Sequence, residues 1–173
     1  MKSGGLTHID EDGRARMVDV SDKLITRRRA TAEGRIRMAA ATLSAIRDGA
    51  VPKGDVVAVA RLAAIMGAKR TAETVPLCHP LALDAVEVEV DFDDVETALR
   101  MRVEASVEGR TGVEMEALCG VSAGLLAVYD MCKAMDRGME IDEVRLVAKA
   151  GGRSGTWRRT QAGVTNEADQ RET

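Results

Sequence analysis

The chain has 173 residues, 45% of them apolar and 31% charged, with a formal net charge of −3 at pH 7. That length suits one domain around one filled core, and the negative balance excludes a general nucleic-acid or membrane-surface binder. Three cysteines, Cys78, Cys119 and Cys132, with no CxxC pair among them, make neither a disulfide framework nor a zinc site, so no metal or other cofactor is expected.

Residues 1–13 and 160–173 are polar and lack periodicity, and read as disordered ends around a folded core of about 14–159. No apolar stretch precedes Met17, so no secretory signal is expected and a reducing cytoplasm is the default compartment. Arg16 to Val20 reads as a short strand. From Thr26 to Ile36, the small apolar Ala30, Ala32, Gly34 and Ile36 alternate with charged residues, the pattern of a half-buried strand. Met38 to Ile46 carries Leu43 and Ile46 at helical spacing and closes at Gly49. A second, largely apolar helix is expected over Asp55 to Gly67. Val86, Val88, Val90 and Phe92 alternate with acids, and Leu99, Met101, Val103, Ala105 and Val107 alternate with polar residues, so the two runs predict an antiparallel hairpin. A long helix from about Val113 to Met135 follows. Its uncharged stretch, Ala117 to Tyr129, is too short to span a bilayer. A last strand is expected over Glu143 to Lys149, running into the glycine loop Gly151–Gly155. Strands and helices mixed around a central hairpin predict an α+β domain, a ferredoxin-like sandwich of an antiparallel sheet and covering helices.

Two compositional biases bear on function. Phe92, Tyr129 and Trp157 are the only aromatics, so the core is built from smaller side chains. Each of these buries little area at ~25 cal/mol per Å², and burial between subunits is expected to supplement the monomer. Nineteen of the basic residues are arginine and six are lysine: Lys2, Lys23, Lys53, Lys69, Lys133 and Lys149. A lysine retained in such a chain is a candidate proton-transfer group, because ammonium exchanges a proton and guanidinium does not.

The motifs sharpen this. Thr111 and Glu114 stand at capping-box spacing, which explains Glu114 structurally. Glu116, one turn into an apolar helix, is left needing a cationic partner. Asp130 and Lys133 are three apart on one helix face, an acid/base pair if burial makes each tune the other. Pro76-Leu77-Cys78-His79-Pro80 is a proline-braced loop suited to a pocket wall, in which Cys78 lacks the partner motif of an activated nucleophile. Lys53-Gly54-Asp55 opens a helix and is equally a plain helix start or an anion contact. Lys149 and Arg153 flank glycines that could cradle an anion, without the order of a P-loop. Alternation turns Arg28 to the face opposite Arg27 and Arg29.

Met17-Val-Asp-Val-Ser21, Lys53-Gly-Asp-Val56, Pro76-Leu-Cys-His-Pro-Leu81, Thr111-Gly-Val-Glu-Met-Glu-Ala-Leu118, Tyr129-Asp-Met-Cys-Lys-Ala134 and Gly151-Gly-Arg-Ser-Gly155, taken together, resemble the cyclic pyranopterin monophosphate synthase family, protein C of molybdenum cofactor biosynthesis. The resemblance covers roughly residues 6–158, in order. It implies a ferredoxin-like α+β fold, a homohexamer built as a trimer of dimers, and an active site at the dimer interface. It also implies conversion of 3′,8-cyclo-7,8-dihydro-GTP to cyclic pyranopterin monophosphate with release of pyrophosphate and no redox cofactor. Carried over by motif, Lys53, Lys133 and Asp130 are the implied acid/base groups, with His79 and Glu114 also catalytic. Leu77, Cys78, His79, Met115 and Glu116 would line the substrate site, and Arg28 and Lys149 would meet the triphosphate. Two departures stand out: Arg153 where lysine is usual, and Cys119-Gly120 for a threonine–alanine pair, a change expected to loosen helix packing. The alternatives are a non-catalytic oligomeric sensor that binds a nucleotide or pterin unchanged, and an RNA-binding module. The latter needs stacking aromatics on its strands and has Phe92 alone.

Overall fold

The computed structural model describes residues 14, 16–160 and 163–166, so the expectation of disorder over 1–13 lies outside the described residues, as do 161–162 and 167–173. Among the described residues six antiparallel strands form one sheet in the order β2-β3-β1-β4-β5-β6. They are β1 (Thr26–Arg37), β2 (Ala85–Asp93), β3 (Ala98–Gly109), β4 (Glu140–Ala150), β5 (Trp157–Thr160) and β6 (Gly163–Asn166). Between β1 and β2 run α1 (Ala40–Arg47), α2 (Val56–Lys69) and the single turn α3 (Thr71–Thr74), and α4 (Glu114–Cys132) joins β3 to β4. The succession is an α+β arrangement compatible with the ferredoxin-like plan. Arg16 to Val20, expected as a strand, is irregular and leads into a turn at Ser21–Asp22, which Asp19 anchors by accepting from the backbone N–H of Ser21 at 2.9 Å and from its hydroxyl at 2.7 Å. The tail expected to lack structure adds β6, which pairs with β5 beyond the edge of β4.

Alternation gives the sheet two unlike faces. Ala30, Ala32, Ile36, Leu99, Met101, Val103 and Ala105 are buried against the helices. The opposite face is a lattice of ion pairs, with Arg35 held by Asp142 at 2.7 Å and by Glu96 at 3.2 Å, and Arg145 held by Glu33 at 2.8 Å. Asp55 caps α2 by accepting from the N–H of Ala58 at 2.9 Å. Gly49, in the left-handed region at φ 67°, lies just past the C-cap of α1 as its sequence position predicts.

The helix pair decides where the site is. Ala60, Ala64 and Ala68 of α2 recur every fourth residue and face Gly120 and Gly124 of α4. A methyl group on Gly120 would stand 3.1 Å from the Ala64 carbonyl oxygen, and one on Gly124 would stand 3.1 Å from that of Ala60. The two helices therefore run antiparallel in close contact along a seam of small residues. Gly120 does not loosen this packing, as the sequence suggested; it permits it. By length and composition α4 passes as a membrane span. Here it is the core helix, with Val121, Leu125 and Val128 fully buried between α2 and the sheet.

Candidate active site

Antiparallel packing brings the loop after α2 and α3 to the head of α4, and the loop before α2 to its end. At the head lies a cavity of about 300 Å³, the size of a small ligand pocket. Its walls are Leu77, Cys78, His79 and Leu81 of the proline-braced loop, Thr111, Gly112, Glu114, Met115 and Glu116 of the α4 entry, and Val18, Val20 and Lys23 of the N-terminal segment. The structure thus gathers His79, Glu114, Leu77, Cys78, Met115 and Glu116 as expected. Lys23, left without a role by the sequence, and the two valines join them. For the valines the signal was the Met17–Ser21 motif, whose residues Asp19 and Ser21 make a turn in place of a strand; Lys23 lies two residues beyond it.

The capping box is not formed. Val113 occupies the N-cap of α4 with no side-chain hydrogen bond, so Glu114 is free of that duty. Its carboxylate lies 3.8 Å from Lys149 Nζ, which also donates to the hydroxyl of Ser154. Arg28 approaches the same rim, its Nε donating to the Gly109 carbonyl at 3.3 Å and its Nη2 to that of Arg110 at 3.2 Å.

Among the described residues Glu116 forms no ion pair, although the sequence left it needing a cationic partner; Lys23 and, in a neighbouring hollow, Lys69 and Arg70 line the same walls without pairing with it. Glu116 is 4% exposed, and burial, reinforced by the charge of Glu114, raises its carboxyl above the usual carboxylate range. The native state therefore favours the proton on Glu116. That contribution is complete below the ordinary carboxylate pKa and is lost as pH rises through the raised one. Glu116→Gln is expected to raise the melting temperature at neutral and alkaline pH and to leave it unchanged in acid, as thermal scans across pH would show. A uniform shift at every pH would contradict this account. Burial first, and then the neighbouring Glu116 and Cys119, push the Cys78 thiol up, the opposite of the lowering that activates a cysteine nucleophile.

At the far end of α4 the second cluster forms. Lys53 Nζ donates to the Asp130 carbonyl at 2.8 Å and to its carboxylate at 3.1 Å, and Lys133 Nζ meets the other carboxylate oxygen at 2.7 Å. One carboxylate thus bridges two ammonium groups, that of Lys133 at the end of the same helix and that of Lys53 from 77 residues away in the chain. The burial expected here is absent: the side chains of Asp130 and Lys133 are 58% and 52% exposed. Lys133 holds Asp130 low, with Lys53 adding to the effect, and Asp130 in turn raises Lys133. Lys133 is therefore held as an ammonium group in the resting chain, and a neighbouring surface that excludes water would strengthen its pairing with Asp130. Among the described residues, no group of three His, Cys, Asp or Glu could hold a metal ion.

Residues 17–152 match the model of the MoaC family. Three curated relatives are each named cyclic pyranopterin monophosphate synthase. The chain is 57% identical to that of Thermomicrobium roseum over 89% of its own length and 93% of the relative's. It is 56% identical to that of Chloroflexus aurantiacus, with 89% and 94% covered, and 59% identical to that of Novosphingobium aromaticivorans, with 88% and 96% covered.

Proposed function

The chain belongs to the MoaC family, and from that premise we propose that it acts as a cyclic pyranopterin monophosphate synthase in molybdenum cofactor biosynthesis. It is an enzyme of the lyase class acting on a small GTP-derived substrate, 3′,8-cyclo-7,8-dihydro-GTP. It opens the five-membered ring of the purine, closes the pyranopterin, and forms the cyclic phosphate as pyrophosphate leaves. No electrons are gained or lost, so the protein's task is to place and move protons and to hold charge.

One observation carries the mechanistic reading. The cavity and the lysine–aspartate cluster lie at opposite ends of α4, sixteen residues apart from Glu114 to Asp130, or about 24 Å at ~1.5 Å per residue. No small substrate spans that distance. This supports an active site completed between two copies, the cavity of one facing Lys53, Asp130 and Lys133 of the other across a two-fold axis. In that arrangement Lys53 and Lys133 transfer protons with Asp130 setting their charge. His79 and Glu114 act from the cavity side, and Leu77, Cys78, Met115 and Glu116 hold the pterin end. Arg28 and Lys149 meet the triphosphate. The chain acts in the cytoplasm as a homohexamer, a trimer of dimers.

Assembly is also supported by apolar surface. Val59, Leu62 and Met66 lie exposed at helical spacing on α2, and Leu126 lies exposed on α4. Leu62 and Leu126 are 63% and 60% exposed, the highest among those four. Leu62→Asp combined with Leu126→Asp is expected to break the assembly into smaller species in sedimentation velocity, with far-ultraviolet circular dichroism retained and turnover lost. An unchanged sedimentation coefficient would remove this face from the interface.

The function itself is tested by incubating the purified protein with the cyclised dihydro-GTP and following products by mass spectrometry. Cyclic pyranopterin monophosphate and pyrophosphate should appear in equal amounts. Recovery of the bound nucleotide unchanged would instead establish the sensor.

A further inference from the structure

The glycine loop beyond β4 carries more than the two cations already assigned. Gly151, Gly152 and Gly155 all hold left-handed backbone, at φ 96°, 74° and 63°. A methyl group at Gly151 would strike the Arg27 carbonyl, and one at Gly152 would strike the Arg28 guanidinium. The loop is thereby pressed against the start of β1, with Arg28 Nη1 at its surface. Arg28 is fixed through its other two nitrogens by the Gly109 and Arg110 carbonyls, and among the described residues Nη1 has no acceptor.

Ser154 completes this arrangement. A serine hydroxyl offers one proton and two lone pairs, whereas an ammonium group offers protons alone. In the contact between Lys149 Nζ and Ser154 Oγ the serine must therefore accept, and its own proton remains for another acceptor. Lys149, Arg28 and the Ser154 hydroxyl are thus three donors around one loop, with Lys23 and Arg110 nearby, the Arg110 Nε donating to the Lys23 carbonyl at 3.2 Å. Glu114 is the acid that shares Lys149, and it sits on the cavity side. The acceptor that suits such a rim is the most anionic part of the substrate.

We infer that Ser154 is a phosphate-binding residue, its hydroxyl donating to a non-bridging oxygen of the substrate's outer phosphates and of the departing pyrophosphate, between Lys149 and Arg28. The inference rests on the synthase reading and adds a contact to that site. Accepting from Lys149 polarises the hydroxyl, so its bond to an anion is charge-assisted at both ends.

The test uses the full-length assembled protein, with inorganic pyrophosphate as the probe in calorimetry and as an inhibitor of turnover. Ser154→Ala should weaken pyrophosphate binding about tenfold, the loss of one hydrogen bond to a charged group. It should raise KM for the triphosphate substrate by a similar factor with little change in kcat, and Ser154→Thr should restore both. A smaller but measurable loss should persist in a Lys149→Ala background, because the serine contacts the anion itself even when the lysine no longer polarises its hydroxyl. Unchanged pyrophosphate binding in a folded Ser154→Ala protein overturns the assignment. So does an effect that vanishes once Lys149 is gone, since Ser154 would then act solely by placing the lysine. A wild-type protein that forms no pyranopterin while Ser154→Ala still loses pyrophosphate would refute the synthase reading and leave the phosphate contact standing.

Discussion

Lys133→Ala and Lys53→Ala should each lower turnover by roughly a thousandfold or more, the scale of losing a placed proton donor, while the assembly and the fold survive. Neither side chain packs into the core: Lys53 is exposed, and Lys133 lies at the C-cap of α4 with its ammonium group on Asp130. Stability should therefore change little, since exposed ion pairs contribute well under about 1 kcal/mol. Asp130→Asn separates two roles of the carboxylate. Lys133 loses the partner that raises it, so the alkaline limb of the kcat profile should move to lower pH. The sharper measurement mixes two inactive proteins. If the cavity of one copy works with the lysines of another, Lys133→Ala mixed with His79→Ala regains about a quarter of wild-type activity, from half the dimers each carrying one intact site. Full turnover in both lysine variants would remove them from the mechanism. No recovery on mixing would place both clusters' work in a single chain.

Gly67→Val should be the most destabilising change on the helix pair, costing about 3 kcal/mol or preventing folding. A methyl group at Gly67 would lie 2.8 Å from the Cys119 carbonyl oxygen and closer still to the Ala123 methyl. The obstacle is the backbone of α4 and a side chain with no rotamers, so relief requires the helices to part. Parting them separates Lys53 from Asp130 at one end and His79 from Glu114 at the other. Chemical denaturation of the purified variant checks this, with a lower midpoint expected. A variant as stable as wild type would mean that the helix contact yields without cost.

The strands and helices of the central fold were legible because burial on one face imposes a period. The alternation through Ile36, Val90 and Val103 and the apolar run of α4 could hardly have formed anything else, and the structure moves their ends by a few residues. The hairpin of β5 and β6 was not legible: it sits at the sheet edge, and in β5 only Trp157 is partly buried, so no burial pattern marks it. The capping box misled for a related reason. Spacing permits the reciprocal bonds, but Lys149, distant in sequence, lies near Glu114, and Val113 takes the cap.

The lysines divide along the same line. Composition alone marked six of them, and Lys133 announced its partner because three residues on a helix share a face. That Lys53 reaches the same carboxylate, and that Lys23 joins His79 and Glu114 at the cavity, follows from the antiparallel seam of α2 against α4 and from the turn at Asp19. The sequence by itself determined which groups carry charge and which faces are buried, because these are properties of neighbours in the chain. Only the tertiary structure decided that the groups form two clusters about 24 Å apart. The distance between them is set by the length of a helix, and the small residues that turn its partner antiparallel act through contacts no local pattern records.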